Sequence, residues 1–319
     1  MINLAFVFPG QGSQSVGMLA ELASRYSLVT DLFALVSDRL GYDVWQLVQD
    51  GPELRLNQTE HTQIAMLTAD VAIFKLLQKL GIGSAKMMAG HSLGEYAALV
   101  CAEAISLPDA AELVAKRGQL MQEKIPLGQG AMAAIVGLTD EQVEVICHQA
   151  SNNQVHRVTP ANYNAIGQVV IAGHTEAVDQ AVKLANETGA RMAKIIPVSV
   201  PCHCPLLIDA AEAFEYYLAQ ADFKKPILPV ISNVDLSIYK TANQIRTLLK
   251  EQLYCPVRWV ETIQLMKNSG IETVIECGPG KVLSGLVKRI ERSLPAVSVS
   301  CVSSVEQVVS QLIVEEKTY

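Results

Sequence analysis

The feature that most constrains this chain is a serine between two glycines, in the pentapeptide Gly90-His91-Ser92-Leu93-Gly94. Residues 85–89 before it are short and apolar enough for a buried strand, and residues 95–104 after it are rich in alanine and leucine, which favours a helix. Glycines around a serine permit a sharp strand-to-helix turn, which presents the hydroxyl near backbone N–H groups that can stabilise a developing anion. An incidental serine in a glycine-rich loop is the alternative, but the flanking segments favour a nucleophile.

Strand-like and helical segments alternate along most of the chain. The predicted strands cover residues 4–8, 85–89, 227–232 and 273–277, and a helix is predicted at 281–289. This alternation is typical of an α/β fold with a parallel sheet.

Residues 130–199 show a different order of predicted strands and helices. They predict a strand at 131–138, a helix capped by Thr139 that runs to about Ala150, a strand–loop–strand over 158–173, a helix at 175–188 and a strand at 191–198. This β-α-β-β-α-β order is the ferredoxin-like motif. We therefore predict a small domain of residues 128–199, inserted into a larger domain of residues 1–127 and 200–319.

Composition excludes several classes of protein. A net charge of −7 over 319 residues argues against a generic nucleic-acid binder. No apolar stretch is long enough to cross a bilayer, and the first eight residues resemble a first strand more than a signal peptide. Seven scattered cysteines, an odd number, fit free thiols in a reducing cytosol. We expect a cytoplasmic protein without nucleic-acid or membrane partners.

A serine nucleophile needs a base, and histidine is the usual one because its pKa lies near neutrality. His91 adjoins Ser92 in the sharp turn, so its side chain should point elsewhere. His203 lies between Pro201 and Pro205, where the predicted insert returns to the larger domain, and it is the candidate base. A loop histidine without a catalytic role is the alternative. The flanking Cys202 and Cys204 lie too close together to hold a metal with His203, and no second cluster supplies a fourth ligand.

Arg117 lies on the apolar face of a predicted helix that starts near Ser106. A guanidinium on a core-facing stripe is costly unless it meets an anion. That anion is either a protein carboxylate, in a structural ion pair, or a substrate carboxylate held through two parallel hydrogen bonds. The sequence leaves both open.

The segment from Pro9 to Gln14 follows the first predicted strand. A dinucleotide-binding loop would need a glycine where Ser15 stands, and the Gly-Lys-Ser/Thr of a Walker loop is absent. A tight loop remains, presenting Gln11 and backbone donors at the strand's carboxyl end, where ligands bind in such sheets. Such a loop could form half of an oxyanion hole.

Seven segments in order resemble the malonyl-CoA:acyl carrier protein transacylase family, and the resemblance spans nearly the whole chain. They are residues 8–14, 90–96, Arg117-Gly118 with Met121, 162–164 with 167–173, 200–203, 252–259 and 276–280. Family members often have serine where this chain has Cys202. The resemblance implies an α/β-hydrolase-like core with a ferredoxin-like insert.

The resemblance also implies a role for each site residue. Ser92 would be the nucleophile and His203 its base, oriented by the main-chain carbonyl of Gln252 rather than by an aspartate. The oxyanion hole would use the backbone N–H groups of Gln11 and Leu93. Malonyl would be held at a substrate site formed by Arg117, Met121 and Asn162.

The implied enzyme moves a malonyl group from malonyl-CoA to the phosphopantetheine thiol of acyl carrier protein, for fatty acid synthesis. It would act as a monomer, without a metal or cofactor. Acyl carrier proteins are acidic, so a basic docking surface is expected, with Lys281, Lys288, Arg289, Arg292, Arg191 and Lys194 as candidates. A serine thioesterase or esterase, or a non-catalytic carrier-binding module, are the alternatives.

Overall fold

The computed structural model describes residues 2–82, 85–126, 128–151, 156–198 and 200–316. The strands in these ranges are β1 (Leu4–Phe8), β2 (Ala85–Gly90), β3 (Gly130–Val136), β4 (Val158–Ala165), β5 (Gln168–His174), β6 (Met192–Ile196), β7 (Val230–Ile231), β8 (Thr273–Cys277) and β9 (Ala296–Val299). The α-helices are α1 (Ala20–Arg25), α2 (Ser27–Leu40), α3 (Val44–Asp50), α4 (Glu53–Leu56), α5 (Thr59–Lys79), α6 (Gly94–Cys101), α7 (Leu107–Lys124), α8 (Asp140–Ala150), α9 (Thr175–Glu187), α10 (Ile208–Gln220), α11 (Ala242–Glu251), α12 (Trp259–Asn268), α13 (Val282–Ile290) and α14 (Val302–Glu316).

A five-stranded parallel sheet forms the larger part of the molecule, with the order β7-β2-β1-β8-β9. Strand β1 is central and all five of its residues are buried, as expected for a strand covered on both faces. The rings of Phe6 and Phe8 pack edge-on against Phe74 of α5, with centroids 5.1 and 6.1 Å apart. Because the strands are parallel, the loops after β1, β2 and β8 meet at one edge of the sheet.

A second, antiparallel sheet has the order β4-β5-β3-β6 and carries α8 and α9. Its elements follow each other as β-α-β-β-α-β, which confirms the predicted ferredoxin-like unit. Thr139 and Gln142 form a capping box at the start of α8, which explains why that boundary could be read from the sequence. The unit lies within residues 128–199, and the exact domain limits remain a prediction.

The prediction of a strand over residues 227–232 is wrong in its length, because only Val230 and Ile231 are in β7. The preceding Pro229 has no N–H to donate to a ladder, although its carbonyl accepts a hydrogen bond from Met88 N at 2.7 Å. Since β7 is an edge strand, the sheet tolerates this shortening. No helix in the described residues is both long and apolar enough to cross a membrane.

Asp70 of α5 is fully buried next to the loop after β8, where a Cβ on Gly278 would lie 2.4 Å from its Oδ1 atom. Neither carboxyl oxygen has a hydrogen-bond partner among the described residues. Burial raises the pKa of Asp70 well above its usual value, and the negative charge of Glu276 raises it further. The folded protein therefore favours the neutral form of Asp70 to a higher pH than the unfolded chain does.

We expect Asp70→Asn to change how stability depends on pH. Above its ordinary pKa, Asp70 releases a proton in the unfolded chain but keeps it in the folded one, so the contribution of Asp70 to wild-type stability falls with rising pH. The variant should lack this fall, whose slope is at most about 1.4 kcal/mol per pH unit for one proton. Urea unfolding between pH 4 and 8 measures it, with Asp31→Asn on the exposed face of α2 as the control. Parallel curves for the wild type and D70N would contradict the prediction.

Candidate active site

The turn between β2 and α6 carries Ser92 in the left-handed region of backbone conformation, at φ 53°. A residue with a side chain rarely adopts this conformation, which costs on the order of 1 kcal/mol. The turn is tight on both sides, because a Cβ on Gly90 would lie 1.7 Å from the carbonyl carbon of Gly94, and one on Gly94 would lie 2.0 Å from Phe8 O. Both glycines of the pentapeptide are therefore required by close backbone contacts.

His203 lies next to the Ser92 hydroxyl, although 111 residues separate the two in the sequence. Its Nε2 atom is 2.7 Å from Ser92 Oγ, and its Nδ1 is 2.7 Å from the backbone oxygen of Gln252. A carbonyl can only accept, so Nδ1 carries the proton and Nε2 is free to accept the proton of Ser92. The main chain of His203 is itself fixed, since its N–H donates to Leu253 O at 3.0 Å.

His203 is 3% exposed, and burial is the largest cause that lowers its pKa to about 3. The positive charge of Arg117 lowers this pKa further, and the hydrogen bond to Gln252 acts in the opposite direction. The imidazole is therefore neutral at physiological pH, which is the state a general base needs.

Arg117 is 1% exposed in the middle of α7, a helix that Ser106 caps. Its guanidinium donates to the side-chain oxygens of Gln63 at 2.9 Å and Gln252 at 3.0 Å, and Nη2 lies 3.4 Å from Ser92 Oγ. Among the described residues, no carboxylate oxygen lies within the 4.0 Å of an ion pair with Arg117. Within the described part of the chain the structural ion pair is thus absent, and a cation without a direct counter-ion there lies beside the hydroxyl.

The two predicted oxyanion donors lie on neighbouring loops. Leu93 is buried directly before α6, and Gln11 is exposed after β1. The loops approach closely, because a Cβ on Gly10 would lie 2.6 Å from His91 O. In the part of the chain that the structure describes, neither backbone N–H of Gln11 and Leu93 donates to a protein acceptor. Both are thus available to a ligand oxygen.

Met121 and Asn162, the other two residues of the predicted substrate site, differ in their contacts with the residues around Ser92. Met121 lies one turn after Arg117 and is fully buried, with its Sδ atom 3.8 Å from Gln63 Nε2. Asn162 is on β4 and forms a bridge with Val257. Within the described contacts, its side chain makes no hydrogen bond to Ser92, His203 or Arg117.

His91 faces away from the hydroxyl, as its place in the turn suggests. Its Nε2 atom is 2.8 Å from Asn164 Oδ1 on β4, and its ring packs edge-on against Trp259. Burial lowers the pKa of His91. The contact with Asn164 joins the turn to the antiparallel sheet.

Four polar residues at the site carry no prediction from sequence: Gln63, Glu95, Asn233 and Tyr239. Asn233 Oδ1 accepts from Ser92 N at 2.8 Å, and its Nδ2 donates to Gly90 O at 2.7 Å. These two bonds hold the backbone of the turn on both sides of His91. Glu95 is buried in α6. Of the four, it is the one that the sequence could have indicated, because it is a charged residue in a helix that is otherwise apolar.

The described residues contain no group of three or more histidine, cysteine, aspartate or glutamate side chains placed to hold a metal ion. The chemistry available at the site is that of a hydroxyl with a neutral imidazole, two free N–H groups and a buried cation.

A serine hydroxyl beside a neutral imidazole, at the edge of a parallel α/β sheet, is the arrangement found in serine acyl-transfer enzymes. The model of the acyl transferase domain family matches residues 5–316. The chain is 50% identical to the malonyl CoA-acyl carrier protein transacylase of Escherichia coli K12, over 93% of this chain and 95% of that protein. The chain belongs to the malonyl CoA-acyl carrier protein transacylase family.

Solved structures agree with this assignment. The malonyl CoA-acyl carrier protein transacylase of Coxiella burnetii superposes with a TM-score of 0.95 at 49% identity, covering 98% of each chain. The PlMCAT:AntF complex, a type II polyketide acyl-carrier protein bound to its malonyl-transacylase, matches with a TM-score of 0.95 at 47% identity, over 97% of this chain and 99% of that one. The predicted fold, an α/β-hydrolase-like core with a ferredoxin-like unit, is confirmed.

Proposed function

We propose that this protein transfers malonyl from malonyl-CoA to the phosphopantetheine thiol of acyl carrier protein, through a malonyl ester on Ser92. The observation that carries the proposal is the position of Ser92 Oγ, 2.7 Å from His203 Nε2 and 3.4 Å from Arg117 Nη2. One oxygen thus lies between a base and a cation suited to the substrate's carboxylate.

In the first half-reaction, Ser92 Oγ attacks the thioester carbonyl while its proton moves to His203 Nε2. The carbonyl oxygen becomes an anion held by the backbone N–H groups of Gln11 and Leu93, and each such donor is worth roughly 2.7–4 kcal/mol. The C–S bond then breaks, and His203 gives its proton to the sulfur of coenzyme A. Malonyl remains as an ester on Ser92, with its carboxylate against Arg117.

In the second half-reaction, His203 takes the proton from the phosphopantetheine thiol, and the sulfur attacks the ester carbonyl. Collapse of the intermediate breaks the C–O bond, and Ser92 recovers its proton from His203. The two half-reactions share one site, so the kinetics are ping-pong. Met121 and Asn162 would line the acyl pocket.

We further propose that residues 128–199 form a domain that shields the ester from water, and that the enzyme works as a cytoplasmic monomer without a cofactor. The contact between His91 and Asn164 supports the shielding role, because it places β4 beside the turn. The acidic carrier would dock on exposed basic residues: Lys281, Lys288, Arg289, Arg292, Arg191 and Lys194. Arg289 also donates to Gln168 of β5 at 2.5 Å, so this surface continues from α13 to the antiparallel sheet.

Intact-protein mass spectrometry after mixing with malonyl-CoA tests the proposal. We expect one malonyl group per chain, located by peptide mapping on Ser92, because the acyl-enzyme is an obligatory intermediate. A pantetheine thiol should discharge this ester much faster than water does. An ester discharged equally well by water would instead indicate a thioesterase, and the absence of any adduct would contradict both functions.

A further inference from the structure

Glu95 is a buried carboxylate below the catalytic turn that takes no part in the steps described above. It lies in the first turn of α6, three residues after Ser92, and it is 1% exposed. Its Oε2 atom accepts from Gln252 Nε2 at 2.6 Å, and its Oε1 accepts from the Tyr239 hydroxyl at 2.5 Å. A longer contact of 3.4 Å joins Oε2 to the N–H of Asn233.

The side chain of Gln252 links Glu95 to the cation that faces the substrate. Its nitrogen donates to Glu95 Oε2 and, at 3.0 Å, to the backbone oxygen of Ser92, while its oxygen accepts from Arg117 Nη2 at 3.0 Å. The two oxygens that face Gln252 Nε2, Glu95 Oε2 and Ser92 O, can both accept a hydrogen bond, so they hold the amide in one orientation. A reversed amide would place its N–H₂ against a guanidinium, which has only donors.

We propose that Glu95 is a positioning residue for malonyl selection, acting through the side-chain amide of Gln252 to hold Arg117 in place for the malonyl carboxylate. The inference rests on the proposed function. In this arrangement an amide separates Glu95 from Arg117, so the carboxylate steadies the guanidinium without occupying the face that the substrate needs. A direct Glu95–Arg117 pair would compete with the substrate for that face.

The role requires a hydrogen-bond acceptor at residue 95 rather than a negative charge. Burial raises the pKa of Glu95 to about 7, while its hydrogen bonds with Tyr239, Gln252 and Asn233 and the charge of Arg117 act in the opposite direction. A protonated Glu95 still offers one oxygen to Gln252 Nε2. An amide of the same size would do so as well.

The ratio of kcat/KM for malonyl-CoA to kcat/KM for acetyl-CoA tests the inference, because only malonyl uses Arg117. We expect Glu95→Ala to lower this ratio at least tenfold, while Glu95→Gln keeps it within about threefold of wild type. Tyr239→Phe removes the other strong hydrogen bond of Glu95 but leaves Gln252 in place, so it should keep the ratio. A residue that only supports the fold would lower both rate constants together and leave the ratio unchanged in Glu95→Ala, which would overturn the inference.

Gln252→Met supplies a second test if Glu95→Ala does not fold. It removes the amide but keeps the backbone carbonyl that orients His203, so it should lower the ratio as much as Glu95→Ala does. Adding Glu95→Gln to Gln252→Met should change the ratio no further, because Glu95 acts through that amide. A Gln252→Met variant with the wild-type ratio would contradict the inference. If the wild-type enzyme itself shows no preference for malonyl, the proposed function fails instead.

Discussion

Replacing Ser92 by alanine is expected to lower malonyl transfer by about 10⁴- to 10⁶-fold, the loss typical of serine enzymes without their nucleophile. The expected loss is chemical rather than structural. The backbone N–H of Ser92 still donates to Asn233, and its carbonyl still accepts from Gln252, because neither bond involves the hydroxyl. The left-handed backbone conformation at φ 53° is about as unfavourable for alanine as for serine, so the substitution adds little backbone strain. Steady-state transfer to acyl carrier protein and the malonyl adduct by mass spectrometry measure the effect.

Ser24→Ala is the matched control for this variant. Ser24 is exposed on α1 and its hydroxyl donates only to Glu21 O in the same helix. The control should retain wild-type transfer and the adduct, and circular dichroism should show both variants folded. A folded Ser92→Ala that still forms a malonyl ester would place the nucleophile elsewhere and would end the proposed mechanism.

The sequence was most informative where local chemistry determines the structure. Glycines at positions 90 and 94 predicted the turn, since nothing larger fits there, and Thr139 predicted the start of α8 through its capping box. Strands β1 and β8 were predicted to the residue because each is a short apolar run ended by glycine and proline. The limits of β7 depend on sheet pairing, which the local pattern does not contain.

Long-range contacts at the site could be predicted only in part. Its place on an apolar face indicated that Arg117 meets either a protein carboxylate or a substrate carboxylate, and no protein carboxylate pairs with it among the described residues. The role of Gln252 came from the family resemblance alone, whereas the place of the Gln11 loop after the first predicted strand already indicated a ligand-binding position. Asn233 supports the turn from 141 residues away, and nothing in its own segment indicates this.

Replacing Arg117 by leucine is expected to convert a malonyl-selective enzyme into one that no longer requires the carboxylate. The guanidinium is buried, so the malonyl carboxylate would lose an ion pair that is shielded from solvent. Truncating one partner of such a pair costs about 2–5 kcal/mol, or roughly 30- to several-thousand-fold in kcat/KM for malonyl-CoA. Acetyl-CoA has no carboxylate to lose, so its kcat/KM should stay within a few-fold of wild type or rise. Leucine suits the apolar stripe of α7, which favours a folded variant.

Arg39→Leu provides the comparison, because it removes an exposed arginine of α2 that pairs with Asp109 and Glu112 of α7, the helix that carries Arg117. Surface pairs of this kind contribute about 0–1 kcal/mol, so both donors should react as in wild type. The intact mass after exposure to each donor separates the outcomes, since Arg117→Leu should take up acetyl while its malonyl adduct forms slowly. An Arg117→Leu enzyme that kept the wild-type preference for malonyl would show that the carboxylate binds elsewhere. The lack of an ion-pair partner for Arg117 among the described residues would then need another physical reason, because a buried cation without an anion is unfavourable in any folded protein.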